Sequence, residues 1–383
     1  MAEPRGENFL FNLRELGGAL GDLGTLLPLM LGAIAVVGLA PAPVLLGFAV
    51  FYIATALYYR LPIPVQPMKA VAAVMLTTGI APSSLAISGV LIGATLLVLG
   101  ATGWIARLAR LVPQSVLAGL QLGLGLALAL VSLELMASAP LLALATLVLL
   151  VGFLFAPRYP AALIGLAAAI ALAQIFDIPG TRFGTLAAAS FQIPPLPSPA
   201  ELQQALSLYV LPQLALTFTN AVLLTALVAG DYFGDRASHV TPAKLSITSG
   251  LANLALTPFG ALPMCHGAGG LAAHYRFGAR SGTAPLALGM ALLVVALLPD
   301  GLGLTALAAI PAAGLGALML MASGEFAFSK RLFDSRPSCW PVIAITAGFT
   351  VWTDPFWGLV SGSAAELVRM AVLRLLLQRN AKI

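Results

Sequence analysis

The chain has 383 residues, of which 60% are hydrophobic and only 9% charged, and this excludes a soluble globular protein in favour of a polytopic, all-α membrane protein. A formal net charge of +5 with only two cysteines calls for neither a nucleic-acid partner nor a disulfide framework. No metal-ligand spacing or cofactor motif is present, and the partner that composition demands is the lipid bilayer.

The polar start, up to about Leu13, reads as a short tail without a signal-peptide core. Apolar runs between Gly, Pro and charge punctuation then predict fourteen crossings. In the first half these fall at about 13–38, 41–60, 62–79, 84–106, 113–132, 139–156 and 160–176. In the second they fall at about 207–230, 243–258, 261–277, 283–299, 304–325, 338–353 and 356–376. Crossings 3 and 10 differ from the rest. Pro62-Ile63-Pro64-Val65-Gln66-Pro67-Met68-Lys69-Ala70 and Leu262-Pro263-Met264-Cys265-His266-Gly267-Ala268-Gly269-Gly270 are proline-broken entries into short apolar helices. Proline fixes φ and lacks an N–H, so each approach should be extended and each helix should begin just after it. A helix from Met68 to Gly79 covers only about 18 Å at 1.5 Å per residue, which makes both segments half-helices.

Sidedness follows from charge. With the N-terminus inside, Arg5, Arg60, Arg107, Arg110, Arg158, Arg236, Lys244, Arg276, Arg280, Lys330, Arg331, Arg336, Arg379 and Lys382 fall on the cytoplasmic side, while Glu134, Asp177, Glu201, Asp300 and Asp354 occupy outer loops. Arg182 is the exception. Both termini are therefore expected in the cytoplasm, with the protein in the cell membrane. Laying the halves on each other at an offset near 198 residues brings Asp22 to Asn220, Pro67 to Cys265 and Val112-Pro113 to Ile310-Pro311. The expected organisation is a first seven-span repeat over 1–176, an outer connection over 177–206 containing Phe183 and Phe191, and a second repeat over 207–383. Seven is odd, so the second copy is inverted, the plan of many secondary transporters. Gly17/Gly21, Gly89/Gly93, Gly119/Gly123 and Gly358/Gly362 are small-residue pairs of the helix-packing type.

Within a bilayer, broken backbone persists only where protein or a polar cavity satisfies it, and matched breaks in two halves point to a substrate site. Two half-helices entering from opposite sides would aim their N-terminal N–H groups at one place, which suits an anion. Lys69 lies in the first turn of its half-helix, where it opposes the dipole; function explains it better than snorkelling or structural pairing. Gln66 supplies donors and an acceptor at the same break. Cys265, His266 and Gly267 offer a polar rim and close backbone approach on the other side, with His266 readable as either a ligand contact or a packing residue. Thr25 follows Asp22 on crossing 1, and Asp22 could balance Lys69, bind a cation or take up a proton. Asn220, among Thr217, Thr219 and Thr225, replaces that charge with hydrogen bonds in the second half. Glu325 and Glu366 lie near inner helix ends, where solvation or pairing explains them, and His274 and Arg276 suit the end of their helix. Phosphate-binding loop, zinc-hydrolase and nucleophile-elbow motifs are all missing, which argues against an enzyme.

Gly21-Asp22-Leu23-Gly24-Thr25, Pro64-Val65-Gln66-Pro67-Met68-Lys69-Ala70, and Pro263-Met264-Cys265-His266-Gly267-Ala268-Gly269-Gly270 through Tyr275-Arg276-Phe277-Gly278-Ala279-Arg280-Ser281-Gly282 together resemble the molybdate-transporter family of bacteria and plants, a branch of the sulfate-permease superfamily. The resemblance covers nearly the whole chain. It implies seven plus seven inverted spans, a core of spans 1–4 and 8–11, a gate of spans 5–7 and 12–14, and substrate between spans 3 and 10. The implied function is secondary transport of a tetrahedral oxyanion, molybdate first and sulfate or tungstate next. Substrate-binding candidates are then Gln66, Lys69, Thr25, Asn220, Cys265, His266 and Gly267, with Asp22 as the coupling residue. Many proton-coupled relatives carry an acid in span 8, where this chain has Asn220. An organic-anion or nucleobase symporter of the same fold and an anion channel are the alternatives. Many members of the fold are dimers, which leaves a homodimer open here.

Overall fold

Proline and glycine punctuation sets the helix boundaries. The computed structural model describes residues 9–78, 82–108, 113–155, 159–179, 198–298 and 308–380. Arg5, Arg110, Arg158, Arg182, Phe183, Phe191, Asp300 and Lys382, named above for sidedness or for the connection, lie outside these residues.

Helix α1 (Leu13–Ala35) starts on Asn12, whose side chain accepts from the Glu15 N–H, and it tightens to a 3-10 turn at Leu20–Asp22. Next come α2 (Pro41–Tyr59), α3 (Lys69–Thr78) and α4 (Pro82–Thr102). These are followed by α5 (Gln114–Ala137), α6 (Pro140–Leu154) and α7 (Ala161–Ile175). The second half holds α8 (Pro199–Ala237), α9 (Pro242–Leu256), α10 (Ala268–Arg276) and α11 (Thr283–Leu297). It ends with α12 (Ala312–Ala327), α13 (Trp340–Trp352) and α14 (Pro355–Asn380). Among the described residues, seven helices, α1, α2, α4, α5, α8, α12 and α14, are long and apolar enough to cross a membrane. Helices α6, α7, α9 and α11 have 15 residues each, a rise of about 22 Å, short of the ~30 Å hydrocarbon core.

Three expected boundaries change. The outer connection was to reach residue 206, but Ser198 and Glu201 form a reciprocal capping box that starts α8 at Pro199, so Glu201 is helical rather than in a loop. Helix α5 continues to Ala137 and takes Glu134 into its last turn. Pro311 precedes α12 as its N-cap instead of lying within it, because a proline is tolerated at a helix start, where no N–H is needed. Pro113 caps α5 in the same way.

The two predicted breaks are present. Extended backbone runs into two-residue strands, β1 (Gln66–Pro67) and β2 (Met264–Cys265), which pair antiparallel with Gln66 opposite Cys265 and Pro67 opposite Met264. The Met68 N–H donates to the Pro263 carbonyl at 2.9 Å, and the Asn253 side chain grips Met264, accepting from its N–H at 2.9 Å and donating to its carbonyl at 2.6 Å. These contacts satisfy backbone that proline has barred from a helix.

Around this crossing, α2 packs on α11 and α4 on α9, while α5 packs on α12 and α13, α6 on α7 and α12, and α13 on α14. Gly89/Gly93, Gly119/Gly123 and Gly358/Gly362 lie at such contacts, and Gly17/Gly21 lies against Ala273 of α10 and Phe277. At the α4–α9 contact a methyl group on Gly93 would come 2.9 Å from the Gly250 carbonyl oxygen, so only glycine permits that approach.

Candidate functional site

Helices α3 and α10 begin on either side of the paired strands. Their first turns are treated differently. The Gln213 side-chain oxygen, from α8, accepts from the N–H groups of Ala70 and Val71 at 2.9 and 3.3 Å, so a neutral amide caps α3. Helix α10 has Gly267 as N-cap and no side-chain cap, and its first amides keep their donor capacity and partial positive charge.

Glycine is required where α10 meets the first break. A Cβ at Gly270 would fall 2.6 Å from Asp22 Oδ1 and 2.7 Å from Gln66 Nε2, and one at Gly267 would collide with Gln66 Oε1. Asp22, 1% exposed, accepts from the Tyr52 hydroxyl at 2.9 Å and from the Gln66 amide. Its carboxylate is thus held by two neutral donors and not by Lys69, which removes the direct-pairing role that the sequence left open. The bond to Asp22 holds the Gln66 side chain where it meets Gly267 and Gly270.

A cavity of about 20 Å³ lies between the two breaks, bounded by Gln66, Pro67, Lys69, Cys265, His266 and Gly267, by Gln213, Leu216, Thr217, Asn220 and Ala221 of α8, and by Gln121 and Phe326 from α5 and α12. Such a volume holds about one water. Six of the seven expected substrate residues therefore meet at one place. Thr25 does not line this cavity. It lines a vestibule of about 450 Å³ alongside, shared with Lys69, Arg276, Tyr159 and Glu325, and a smaller void of about 10 Å³ with Lys69, Glu325 and Phe326. Lys69 borders all three spaces, and its ammonium lies 5.7 Å from the Phe326 ring centroid.

His266 is on the wall, fully buried, with both ring nitrogens engaged: Nδ1 with the Pro64 carbonyl and Nε2 with the Thr248 hydroxyl, each at 2.9 Å. The carbonyl can only accept, so Nδ1 carries the proton and neutral Nε2 accepts from Thr248. Phe51 and Tyr59 pack on the ring at 5.1 and 5.6 Å. The histidine ties the second break to the first. Glu366 accepts from Arg369 at 2.8 Å and from Ser115 at 2.8 Å, a paired acid as expected.

The sequence reading missed Gln213, Gln121 and Phe326, and named Thr217 only as a neighbour of Asn220. Gln213 donates to the Thr217 hydroxyl at 2.8 Å, and Gln121 accepts from Ser329 at 2.9 Å, which leaves its NH2 group for the cavity. Asn220 lies in a π-helical segment, Thr217–Leu224, whose wider turn carries Thr217, Asn220 and Ala221 to the same cavity. Wide turns of this kind recur at functional sites. Lys69, Gln121 and Asn220 thus bring donor groups to the wall of one small space.

A family model described as "Molybdate transporter of MFS superfamily" matches residues 14–128 and 205–326. Molybdate transporter 2 of Arabidopsis thaliana is 31% identical, over 87% of this chain and 82% of its own length. Molybdate transporter 1 of the same plant is 30% identical over 94% and 89%. Among solved structures, the transmembrane domain of the cyanobacterial bicarbonate transporter BicA superposes with a TM-score of 0.70 at 17% identity, covering 92% of this chain and 98% of that one. The murine Slc26a9 anion transporter, solved in an inward-facing state, gives 0.70 at 15% identity over 97% and 70%. The last two establish a shared membrane-transporter fold, and the first three establish the kinship. These relatives are transporters and not enzymes, and the chain belongs to the molybdate transporter family.

Proposed function

We propose that the chain is a secondary transporter of a tetrahedral oxyanion, molybdate first and sulfate or tungstate next, working by alternating access and coupled to protons. The observation that carries this reading is the small cavity where the Lys69 ammonium, free amide donors and the uncapped start of α10 meet. Lys69, Gln121, Asn220 and the Thr217 hydroxyl on its wall can donate to an oxyanion, whereas the His266 nitrogens are engaged by Pro64 and Thr248, and Phe326 and His266 are its aromatic rings. A nucleobase would call for stacking surfaces and matched acceptors instead.

The fourteen-span, inverted-repeat arrangement belongs to the same proposal. At the 198-residue offset Gln66 corresponds to Met264 and Pro67 to Cys265. The pairs Gln66 with Cys265 and Pro67 with Met264 then exchange with each other, as a two-fold axis through the ladder requires. The packing of α2 on α11 and of α4 on α9 exchanges in the same way. In this reading α1–α4 and α8–α11 form the core, and α5–α7 and α12–α14 form the gate. Both termini are cytoplasmic, the vestibule opens inward, and the protein resides in the cell membrane. A homodimer remains compatible with this arrangement.

Competition binding on the purified protein tests the substrate class. Molybdate, tungstate and sulfate should displace one another, with molybdate tightest, and uracil should not compete. Displacement by uracil alone would move the protein to the nucleobase symporters. Ion currents far above carrier turnover would make it a channel.

A further inference from the structure

An acid in the path of an anion needs a reason, and Glu325 is such an acid. It lies near the end of α12, exposed to the vestibule, one residue before the Phe326 ring that covers Lys69. The vestibule has two walls of unlike charge. Helices α1, α3 and α10 contribute Lys69 and Arg276, whereas the residues from α6, the start of α7 and α12 are uncharged except for Glu325. Among the described residues lining it, Glu325 is the one acid.

Lys69 and Glu325 also share the void of about 10 Å³, whose other walls are Thr25, Leu29, Leu128, Ala322 and Phe326. That space admits about one water, and the two charged residues share its wall. A cation enclosed without a counter-ion is strongly disfavoured, and more so as water leaves. In the loaded protein the oxyanion supplies that counter-charge. Without substrate, closure of the vestibule would leave Lys69 with no carboxylate paired to it, because Asp22 is held by Tyr52 and Gln66.

We propose that Glu325 is the substitute anion for Lys69: when no substrate is bound, closing the vestibule seats the Glu325 carboxylate on the Lys69 ammonium and so permits the empty carrier to reorient. Substrate entering the cavity takes Lys69 for itself and leaves Glu325 in the vestibule. The two anions compete for one cation, and each makes closure possible in turn. The inference rests on the oxyanion-carrier reading and specifies its empty half-cycle.

The test separates the two half-cycles in proteoliposomes. Exchange of labelled for unlabelled molybdate needs only the loaded carrier, whereas net uptake into molybdate-free vesicles also needs the empty carrier to return. Glu325→Gln keeps the side-chain shape and removes the charge. It should retain exchange within about twofold of the parent and lose net uptake by about tenfold or more, while Glu325→Asp should recover part of the net rate. Retained exchange itself shows that the variant is folded. Parental net uptake in Glu325→Gln would overturn the proposal, as would loss of exchange and uptake together or a parent protein that exchanges but never takes up net substrate. No molybdate, tungstate or sulfate flux of either kind in the parent would overturn the carrier reading instead.

Discussion

At the scale of single residues, Lys69 carries the strongest expectation. Lys69 borders the cavity and both neighbouring spaces, its ammonium lies 5.7 Å from the Phe326 ring centroid, and the nearby Asp22 carboxylate is held by Tyr52 and Gln66. The Lys69 charge is therefore available to a ligand. A charge-assisted hydrogen bond contributes about 1.5–3 kcal/mol, roughly ten- to a hundredfold or more in affinity. Lys69→Met, which keeps most of the aliphatic stem, should weaken molybdate binding by that factor while the protein stays monodisperse. Unchanged affinity would assign the lysine to packing over Phe326. The sequence leaves Asp22 free to balance Lys69, bind a cation or take up a proton, and in the structure its carboxylate is held by Tyr52 and Gln66. The reason is geometric: Gln66 comes before the helix and turns toward α10, whereas Lys69 follows the last proline and turns into the cavity.

At the scale of elements, the two half-helices were legible because proline and glycine act through local backbone chemistry that needs no neighbour to be known. Pro64, Pro67 and Pro263 fix the extended approaches, and Gly267 and Gly270 mark where α10 closes on Gln66 and Asp22. The contribution of α8 was not legible in the same way. Gln213 has no local signal in an apolar run, and nothing in the sequence marks the π-helical segment Thr217–Leu224 that brings Thr217, Asn220 and Ala221 to one cavity. Gln213 offers a test at this scale. Gln213→Ala would strand the buried N–H groups of Ala70 and Val71 at about 1–3 kcal/mol and lower thermal stability in detergent. Gln213→Glu keeps an acceptor at the start of α3, where a negative charge suits the helix dipole. It should hold stability near that of the parent yet weaken oxyanion binding, because it adds a carboxylate beside the cavity. Equal binding by the glutamate variant would place the bound anion away from α8.

At the scale of the whole molecule, the question is what drives a dianion into a cell whose interior is negative. Each elementary charge is opposed by about 2.3 kcal/mol per 100 mV, so a dianion is driven outward by about twice that. Accumulation then requires co-transported positive charge, and protons are the proposed source. Asp22 is well placed to hold one. The Tyr52 hydroxyl that donates to its carboxylate can equally accept from its protonated form, so the cluster of Asp22, Tyr52 and Gln66 tolerates both states without rearranging. An ionised Asp22 would repel the arriving oxyanion through Gln66, and a protonated one would not. Uptake should therefore rise as the outside becomes more acidic. Asp22→Asn imitates the protonated acid, its NH2 donating to Tyr52 and its oxygen still accepting from Gln66. Vesicles carrying this variant should bind oxyanion and exchange it, yet fail to concentrate it when a pH gradient is imposed. If they still concentrate it, the proton travels on another group. His266, braced between Pro64 and Thr248, is the next residue to test: a protonated Nε2 would donate to the Thr248 hydroxyl, which can turn its own hydrogen to the Lys244 carbonyl, so this ring too can take a proton without breaking the link between the two half-helices.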